Sequence, residues 1–235
     1  MRDGMRGLPE ANGLYSPQFE HDACGIGFVV NIHGKRSHEI VRQGITILAN
    51  LAHRGGAGSE ENTGDGAGML LQIPDKFFRQ VCPLIDITLP EEGSYGVGML
   101  FLPRQADART ACQKRIEKII HDEGQAVLGW RTLPVNETSL GSCARANRPY
   151  LCQVFIGKSD NIKTPLGFER TLYVIRTRAE SLTLNLPQDS SQYFYFASLS
   201  SRTIVYKGML TADQIDAFYL DLASLDFESG LALVH

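Results

Sequence analysis

The decisive stretch of this chain reads Phe19-Glu20-His21-Asp22-Ala23-Cys24-Gly25-Ile26-Gly27-Phe28. From Gly25 onward the sequence is short, apolar and β-rich, which predicts a buried strand that ends in a turn after Ile32. The residues ahead of Cys24 are rich in glycine, proline and charge, and they lack the apolar run of an export signal. Cleavage after Ala23 would therefore place a thiol and a free α-amine on one residue, at the start of a core strand.

A residue with both groups is a complete nucleophile and base. The reference pKa of an α-amine is roughly 7.7 to 8.0 and that of a cysteine thiol is about 8.5, so the amine can accept the thiol proton near neutral pH. The alternative is that Cys24 is a small buried hydrophobe at a strand edge, which is a common use of cysteine. Taken alone, these residues leave both interpretations open.

Composition limits the classes of protein to consider. The 235 residues are 43% hydrophobic, enough for a sizeable core, and the net charge of -3 argues against nucleic acid or anionic membrane as a partner. No stretch approaches the ~20 apolar residues that span a bilayer. The cysteines are odd in number, widely spaced and without a CxxC pair, which favours reduced thiols in the cytoplasm. They are Cys24, Cys82, Cys112, Cys143 and Cys152.

Hydrophobic periodicity predicts an α+β chain. Ser37 is expected to cap a helix from His38 to Leu51, and a glycine-rich stretch to Gly68 leads into a strand at 69–73. The next part of the chain, about 94–200, shows a β-α-β-β-α-β order, which predicts a ferredoxin-like subdomain. Its strands are expected at 96–102, 126–133, 150–156 and 193–199, and its helices at 106–123 and 165–182. A strand at 203–207, a helix at 211–219 capped by Thr211 and a strand at 231–234 complete the prediction.

Four strings, in order along the chain, resemble the amino-terminal region of the glutamate synthase large subunit family. They are Phe19–Phe28 as quoted above, Leu51-Ala52-His53-Arg54-Gly55, Gly64-Asp65-Gly66-Ala67-Gly68, and the run 197–209 that reads Ala-Ser-Leu-Ser-Ser-Arg-Thr-Ile-Val-Tyr-Lys-Gly-Met. Each string is weak alone, but the four together span essentially the whole chain. The resemblance favours the nucleophile interpretation of Cys24.

The resemblance implies a class II glutamine amidotransferase domain of the N-terminal nucleophile hydrolase type. Its fold would be a four-layer αββα sandwich, incomplete in this chain, with the ferredoxin-like subdomain inserted at about 94–200. Residues 1–23 would be a propeptide and 24–235 the amidotransferase domain. Cys24 would attack the side-chain amide of glutamine, and the released ammonia would pass to 2-oxoglutarate in later domains.

The resemblance also implies the partners and cofactors of the complete protein. No cofactor or metal is expected in this segment, whereas FMN and an iron-sulfur cluster would lie in later domains. The partners would be glutamine, the remaining domains of the large subunit, and either a small NADPH-oxidising subunit or ferredoxin. Arg54 would support the substrate pocket, as the arginine of the His-Arg-Gly string does in this family. The alternative for Arg54 is a surface cation that interacts with the carbonyl groups at a helix end.

Three other candidate sites have ordinary explanations. Asp65 lies between glycines, which is typical of a turn. His53 could act as a papain-like base for Cys24, but a residue with its own α-amine does not need one. A zinc site would need His21, Cys24, His33 and His38, and their spacing matches no ligand pattern.

The end of the sequence carries a further expectation. In relatives, the arginine that holds the glutamine carboxylate, the Asn-Gly that stabilises the oxyanion and an aspartate for the α-amine would all lie beyond His235. Since one oxyanion donor alone is worth about 10² to 10³ in rate, we expect this chain by itself to be nearly inactive. Two alternatives stay open: a stand-alone glutamine-binding subunit without full activity, and an N-terminal nucleophile hydrolase that acts on another amide.

Overall fold

The computed structural model of the chain describes residues 25–54, 60, 62–181 and 193–235. The strands are β1 Gly27–Val30, β2 Ala67–Gln72, β3 Tyr95–Leu102, β4 Ala126–Thr132, β5 Tyr150–Gly157, β6 Tyr195–Ser200, β7 Thr203–Gly208 and β8 Leu231–Val234. The α-helices are α1 His38–Asn50, α2 Asp75–Val81, α3 Ala106–Asp122, α4 Ser142–Asn147, α5 Pro165–Ser181 and α6 Ile215–Phe218. Short 3-10 turns lie at Ala52–Arg54, Pro83–Ile85, Ala212–Gln214 and Leu220–Ala223.

Within the described residues the strands form two antiparallel sheets, as an α+β chain requires. Sheet 1 has the order β1-β8-β2-β7 and sheet 2 the order β4-β5-β3-β6. In sheet 1, Leu71 pairs with Ala232 on one side and with Ile204 on the other. These three side chains are fully buried, so this inner face of sheet 1 belongs to the core.

Sheet 2 separates two hydrophobic clusters by strand alternation. On β3, Val97 and Met99 point into the larger cluster, which also contains the inner face of sheet 1 and the buried face of α1. Leu100 and Leu102 point to the opposite side, into a smaller cluster formed with α3 and α5. Because side chains of a strand alternate between faces, one strand can contribute to both cores.

The predicted β-α-β-β-α-β order is observed for β3, α3, β4, β5, α5 and β6, with α4 added between β4 and β5. The end of α3 follows the sequence signal, because Gly124 adopts a φ of 71° directly after the helix. Helix α1 also lies where it was predicted, with Ile40, Val41 and Leu48 buried. Ser37 precedes α1, but it makes no side-chain cap bond, and its backbone instead pairs with that of Ser229.

Two elements differ from the sequence prediction. The helix expected at 211–219 is a 3-10 turn, capped by Thr211 as predicted, followed by the single-turn helix α6, and the Gln214 side chain between them donates to the distant carbonyl oxygens of Asn62 and Ser139. Helix α2 was not predicted, because seven residues are too few for a periodic signal. It forms because Phe77 and Phe78 are buried in the larger core.

A buried polar network joins the two sheets. The Arg131 guanidinium on β4 donates to both carboxylate oxygens of Asp221 at 2.7 Å and to the Gln153 amide oxygen at 2.9 Å. Tyr206 on β7 donates to Asp221 at 3.0 Å. Burial alone would lower the pKa of Arg131, but the hydrogen bonds and charge of Asp221 raise it, so Arg131 stays charged in the core.

The opposite face of sheet 1 is open. Phe28 on β1, Leu233 on β8, Leu70 on β2 and Val205 on β7 form a row in register across this face. Leu70 and Val205 are half-buried, whereas Phe28 is 71% exposed and Leu233 41% exposed, so the apolar surface is most open at β1 and β8. No helix among the described residues is long and apolar enough to cross a membrane.

Candidate functional site

Described residues from the four strings that resemble the glutamate synthase family lie at one end of sheet 1. Strand β1 begins there at Gly27, which pairs with Val234 near the end of β8. Strand β2 begins there at Ala67, which pairs with Gly208 at the end of β7. We call this edge, defined by Gly27, Val234, Ala67 and Gly208, the site end. Cys24 itself lies outside the described residues, three positions before β1.

Helix α1 brings His53 and the backbone of Arg54 to the same place. The helix runs back along β1, and a Cβ on Gly27 would lie 2.3 Å from Ile47 Cγ2 and 3.6 Å from Leu51 Cδ1. The absence of a side chain at Gly27 therefore allows the last turns of α1 to pack on the start of β1. The 3-10 turn Ala52–Arg54 follows directly, so the backbone of Arg54 lies near the site end.

His53, Arg54 and Asp65 are the candidate site residues near this end of the sheet. His53 is exposed, and its Nδ1 lies 2.9 Å from the carbonyl oxygen of Asn50, which engages that ring nitrogen locally. The side chain of Arg54 is outside the described part of the structure, so its predicted role in the pocket stays a prediction. Asp65 is exposed in a bend, as expected for a turn aspartate.

The glycine-rich string forms the loop that enters β2, residues 62–66, which we call the entry loop. Gly64 packs against the backbone that leaves β7, and a Cβ there would lie 2.2 Å from the Leu210 carbonyl oxygen and 2.6 Å from the Thr211 nitrogen. Only glycine allows two backbones to approach so closely. The entry loop and the loop that leaves β7, residues 209–214, are therefore held side by side next to the site end.

The sequence prediction missed two polar residues at the site end. The His235 backbone exchanges hydrogen bonds with Gly68 at 2.9 and 3.1 Å, and a Cβ on Gly68 would lie 2.8 Å from His235 Nε2. The imidazole thus lies over Gly68 on the open face of sheet 1. The ammonium of Lys207 donates to the Tyr195 hydroxyl at 2.6 Å. Strand alternation after Leu233 was the available signal for the position of His235.

A cavity of about 270 Å³ lies beside the site end, beneath the loop that leaves β7. Its walls are mostly apolar and aromatic, and Phe101, Tyr195, Met209 and Phe218 are among them. Arg148 and Lys207 supply positive charge, and the described residues of the lining include no carboxylate to pair with the α-ammonium group of an amino acid.

The described cysteines have no partner sulfur. Cys82, Cys112 and Cys152 are buried free thiols, whereas Cys143 on α4 is an exposed one. Burial raises the pKa of Cys82 to about 11 despite the nearby charge of Arg131. The buried thiols are therefore protonated at neutral pH and are poor nucleophiles.

No group of three or more histidine, cysteine, aspartate or glutamate residues among the described residues is arranged to hold a metal ion. The set considered from the sequence is not tested by this result, because His21 and Cys24 lie outside the described residues.

Comparison with known proteins identifies the domain. The family described as class-II glutamine amidotransferases matches residues 24–235. The chain belongs to this family. The match begins at Cys24, the predicted nucleophile.

The relatives of this class II amidotransferase are much longer proteins. The chain is 54% identical over 228 residues to the glutamate synthase [NADPH] large chain of Bacillus subtilis, covering 97% of this chain and 15% of that one. It is 40% identical to the glutamate synthase [NADH] of Saccharomyces cerevisiae, covering 97% and 11%. It is 39% identical to the glutamate synthase [NADPH] large chain of Azospirillum brasilense, covering 100% and 15%. The chain thus spans 11 to 15% of the length of these relatives, and the predicted resemblance to this family is confirmed.

Proposed function

We propose that this chain is the glutaminase part of a glutamate synthase, in which residues 1–23 are removed and Cys24 becomes an N-terminal nucleophile. One observation carries the proposal. The start of β1, the end of α1 that leads to Arg54, the glycine-rich entry loop and the end of β7 all meet at the site end, directly beyond which Cys24 stands in the sequence. Strings that are more than 100 residues apart in the sequence thus converge on one place.

The bond-making and bond-breaking steps use the thiol and α-amine of Cys24, the substrate and water, while oxyanion stabilisation comes from residues beyond His235. The α-amine accepts the thiol proton, and the thiolate attacks the side-chain amide carbon of glutamine to give a tetrahedral oxyanion. Collapse breaks the C–N bond, and ammonia leaves with the proton from the ammonium. Water then hydrolyses the thioester to glutamate. Arg54 supports the pocket in this proposal. The described lining of the adjacent apolar cavity offers no carboxylate for the α-ammonium, so we place glutamine at the site end.

The open face of sheet 1 supports the finer fold proposal. In an αββα sandwich a second sheet packs on this face, while α1 covers the inner one. The row of Phe28, Leu70, Val205 and Leu233, in which Phe28 and Leu233 are exposed, is the surface that such a sheet would bury. Sheet 2 with α3 and α5 has the β-α-β-β-α-β order and the strand order of a ferredoxin-like unit, so we assign about 94–200 as an inserted subdomain.

We place the remaining functions of a glutamate synthase outside this chain. FMN, the iron-sulfur cluster and 2-oxoglutarate belong to later domains, and electrons come from a small NADPH-oxidising subunit or ferredoxin. The relatives above are named for NADPH or NADH. The glutaminase reaction proposed for this chain has no step through either cofactor.

The test is glutamine hydrolysis and glutamine-dependent glutamate synthesis by the full-length polypeptide with Cys24→Ala or Cys24→Ser. Both activities should fall at least about 10³-fold, because the residue supplies the nucleophile. Synthesis from added ammonia should persist, since it bypasses the glutaminase step. Retention of glutamine hydrolysis in Cys24→Ala would refute the proposal. Specific labelling of Cys24 by an electrophilic glutamine analogue separates glutamine from another amide as the substrate.

A further inference from the structure

The carboxylate of Glu60 connects the entry loop to a distant part of the chain. Its Oε2 accepts a hydrogen bond from the Thr63 hydroxyl at 2.9 Å and one from the backbone N–H of Cys143 at 3.0 Å. Its Oε1 accepts a hydrogen bond from the Ser142 hydroxyl. One side chain thus holds residues that are about 80 positions apart in the sequence. Ser142 and Cys143 belong to residues 136–148, the connector between β4 and β5 of sheet 2.

The packing around the Glu60 carboxylate leaves no space for a side chain at position 141. A Cβ on Gly141 would lie 2.4 Å from Thr63 Oγ1 and 2.5 Å from Glu60 Oε2. The Gly141 N–H also donates to the carbonyl oxygen of Asn62 at 3.0 Å. The connector therefore approaches the entry loop through the backbone of Gly141. The Glu60 carboxylate lies against this glycine and contacts both segments.

Gln214 extends the same arrangement to the loop that leaves β7. Its side chain is buried, and its amide nitrogen donates to the carbonyl oxygens of Asn62 at 3.0 Å and Ser139 at 2.7 Å. Its amide oxygen accepts from the Thr211 N–H. The connector, the entry loop and the loop after β7 are thus tied together by two side chains. We call this set of contacts, made by Glu60 and Gln214, the loop clamp.

The loop clamp lies next to the site end and holds the two loops that adjoin it. The entry loop runs directly into Ala67 and Gly68, and the loop after β7 starts from Gly208, all of which lie at the site end. The spacing of these strand ends depends on how the two loops are held. A carboxylate at Glu60 with three hydrogen-bond donors is a far more specific anchor than a solvated surface glutamate.

We propose that Glu60 is a positioning residue for the glutamine pocket, which it acts on by locking the entry loop against the connector of sheet 2. This inference rests on the proposed function. It also gives the subdomain of about 94–200 a role in substrate binding, because the connector belongs to that subdomain. Glu60 acts through the loops and does not itself touch the reacting atoms.

The experiment compares Glu60→Ala and Glu60→Gln in the full-length polypeptide. Glutamine amide oxygen can replace Oε2 and accept from both Thr63 and Cys143, whereas alanine removes all three bonds. Glu60→Ala should raise the KM for glutamine roughly 10-fold, as expected for a misplaced binding group, with kcat within threefold. Glu60→Gln should restore the KM to within threefold of the original protein.

The matched control is Glu169→Ala. Glu169 holds the turn between β6 and β7 in the same manner, accepting from the Ser201 N–H and from the Ser200 and Ser201 hydroxyls. That turn precedes β7 at the end of sheet 1 opposite the site end. Glu169→Ala should therefore affect thermal stability as Glu60→Ala does, but it should leave the KM unchanged.

Two inactivation rates provide a second measurement. In Glu60→Ala, inactivation by an electrophilic glutamine analogue should slow about 10-fold, while alkylation of Cys24 by iodoacetamide stays within twofold. Equal analogue rates in Glu60→Ala and the original protein would overturn the inference, and so would equal slowing in Glu169→Ala.

If Glu60→Ala does not fold, Ser142→Ala, which removes one of the three bonds, should show a smaller change of about threefold in the same direction. Failure of the analogue to label Cys24 in the original protein would instead refute the proposed function.

Discussion

Gly64 is the residue at which the architecture of the site end is most sensitive to a single methyl group. A Cβ there would overlap the Leu210 carbonyl oxygen, which is backbone and cannot rotate away. Gly64→Ala should lower the free energy of unfolding by about 1 to 3 kcal/mol through overpacking. Urea unfolding followed by the fluorescence of Trp130, the single tryptophan of the chain, measures the change.

The control for this prediction is Gly208→Ala, since both glycines lie next to Leu210. A Cβ at Gly208 would lie 3.4 Å from Leu210 Cγ, an ordinary contact, so the free energy of unfolding should change by less than about 0.5 kcal/mol. Equal effects of the two substitutions would show that the close approach at Gly64 is not the cause.

The difference in exposure between the cysteines predicts a difference in their alkylation rates. Cys143 is exposed, whereas burial raises the pKa values of Cys82 and Cys112. Since the thiolate is the nucleophile, iodoacetamide at pH 8 should label Cys143 at least about tenfold faster than either buried cysteine. Peptide mass analysis resolves the sites. Fast labelling of Cys82 in the folded chain would contradict its burial, and urea should remove the difference.

The sequence indicated the site strings but not the residues that hold them together. Cys24 and Arg54 stand out because their neighbours form recognisable strings, and neither side chain is described by the structure. Glu60 carries no local signal, and the bonds from Gln214 to Asn62 and Ser139 carry none either, because these contacts join residues about 75 to 150 positions apart. Such contacts are tertiary and cannot be read from spacing along the chain.

At the scale of elements, the buried pair of Arg131 and Asp221 joins β4 to the turn after α6. Its bidentate geometry, with Gln153 and Tyr206 as further partners, compensates for the removal of two charges from water. Arg131→Met should cost about 3 to 5 kcal/mol in urea unfolding, because it leaves the Asp221 carboxylate buried without its partner.

The double variant Arg131→Met with Asp221→Leu decides whether the cost comes from the unpaired charge. Two apolar residues of similar volume should recover most of the stability lost in the single variant. If the double variant is less stable than Arg131→Met alone, the pair contributes through packing rather than through charge compensation, and this account of the network is wrong.

Long periodic elements were predictable, and short ones were not. Helices α1, α3 and α5 and the strands between them lie within a few residues of their predicted bounds, since each has many apolar positions at one period. Helices α2 and α4 have seven and six residues and are stabilised by tertiary contacts. Helix α4, for instance, begins where Ser142 and Cys143 bind the Glu60 carboxylate.

At the scale of the whole molecule, the open face of sheet 1 is the most distinctive surface. A row of aligned apolar side chains should bind the hydrophobic dye ANS in the isolated chain. Phe28→Ser with Leu233→Ser should reduce the dye signal several-fold. Leu84→Ser with Leu225→Ser is the matched control, since both leucines are highly exposed but lie off this face, and should change it little. Equal reductions would show that the row is not a continuous surface.

The same face should be protected in the full-length polypeptide if a second sheet covers it. Hydrogen exchange of β1 and β8 would then be slower there than in the isolated chain, because the covered strands open less often. Identical exchange in both contexts would contradict the proposed sandwich.

The mass and N-terminal sequence of the active full-length protein show whether removal of residues 1–23 creates the nucleophile. We expect the mature chain to begin with Cys24 and a glutamine analogue to add its mass to that residue. Glutamine hydrolysis at full rate by a protein that retains residues 1–23 would rule out Cys24 as an N-terminal nucleophile.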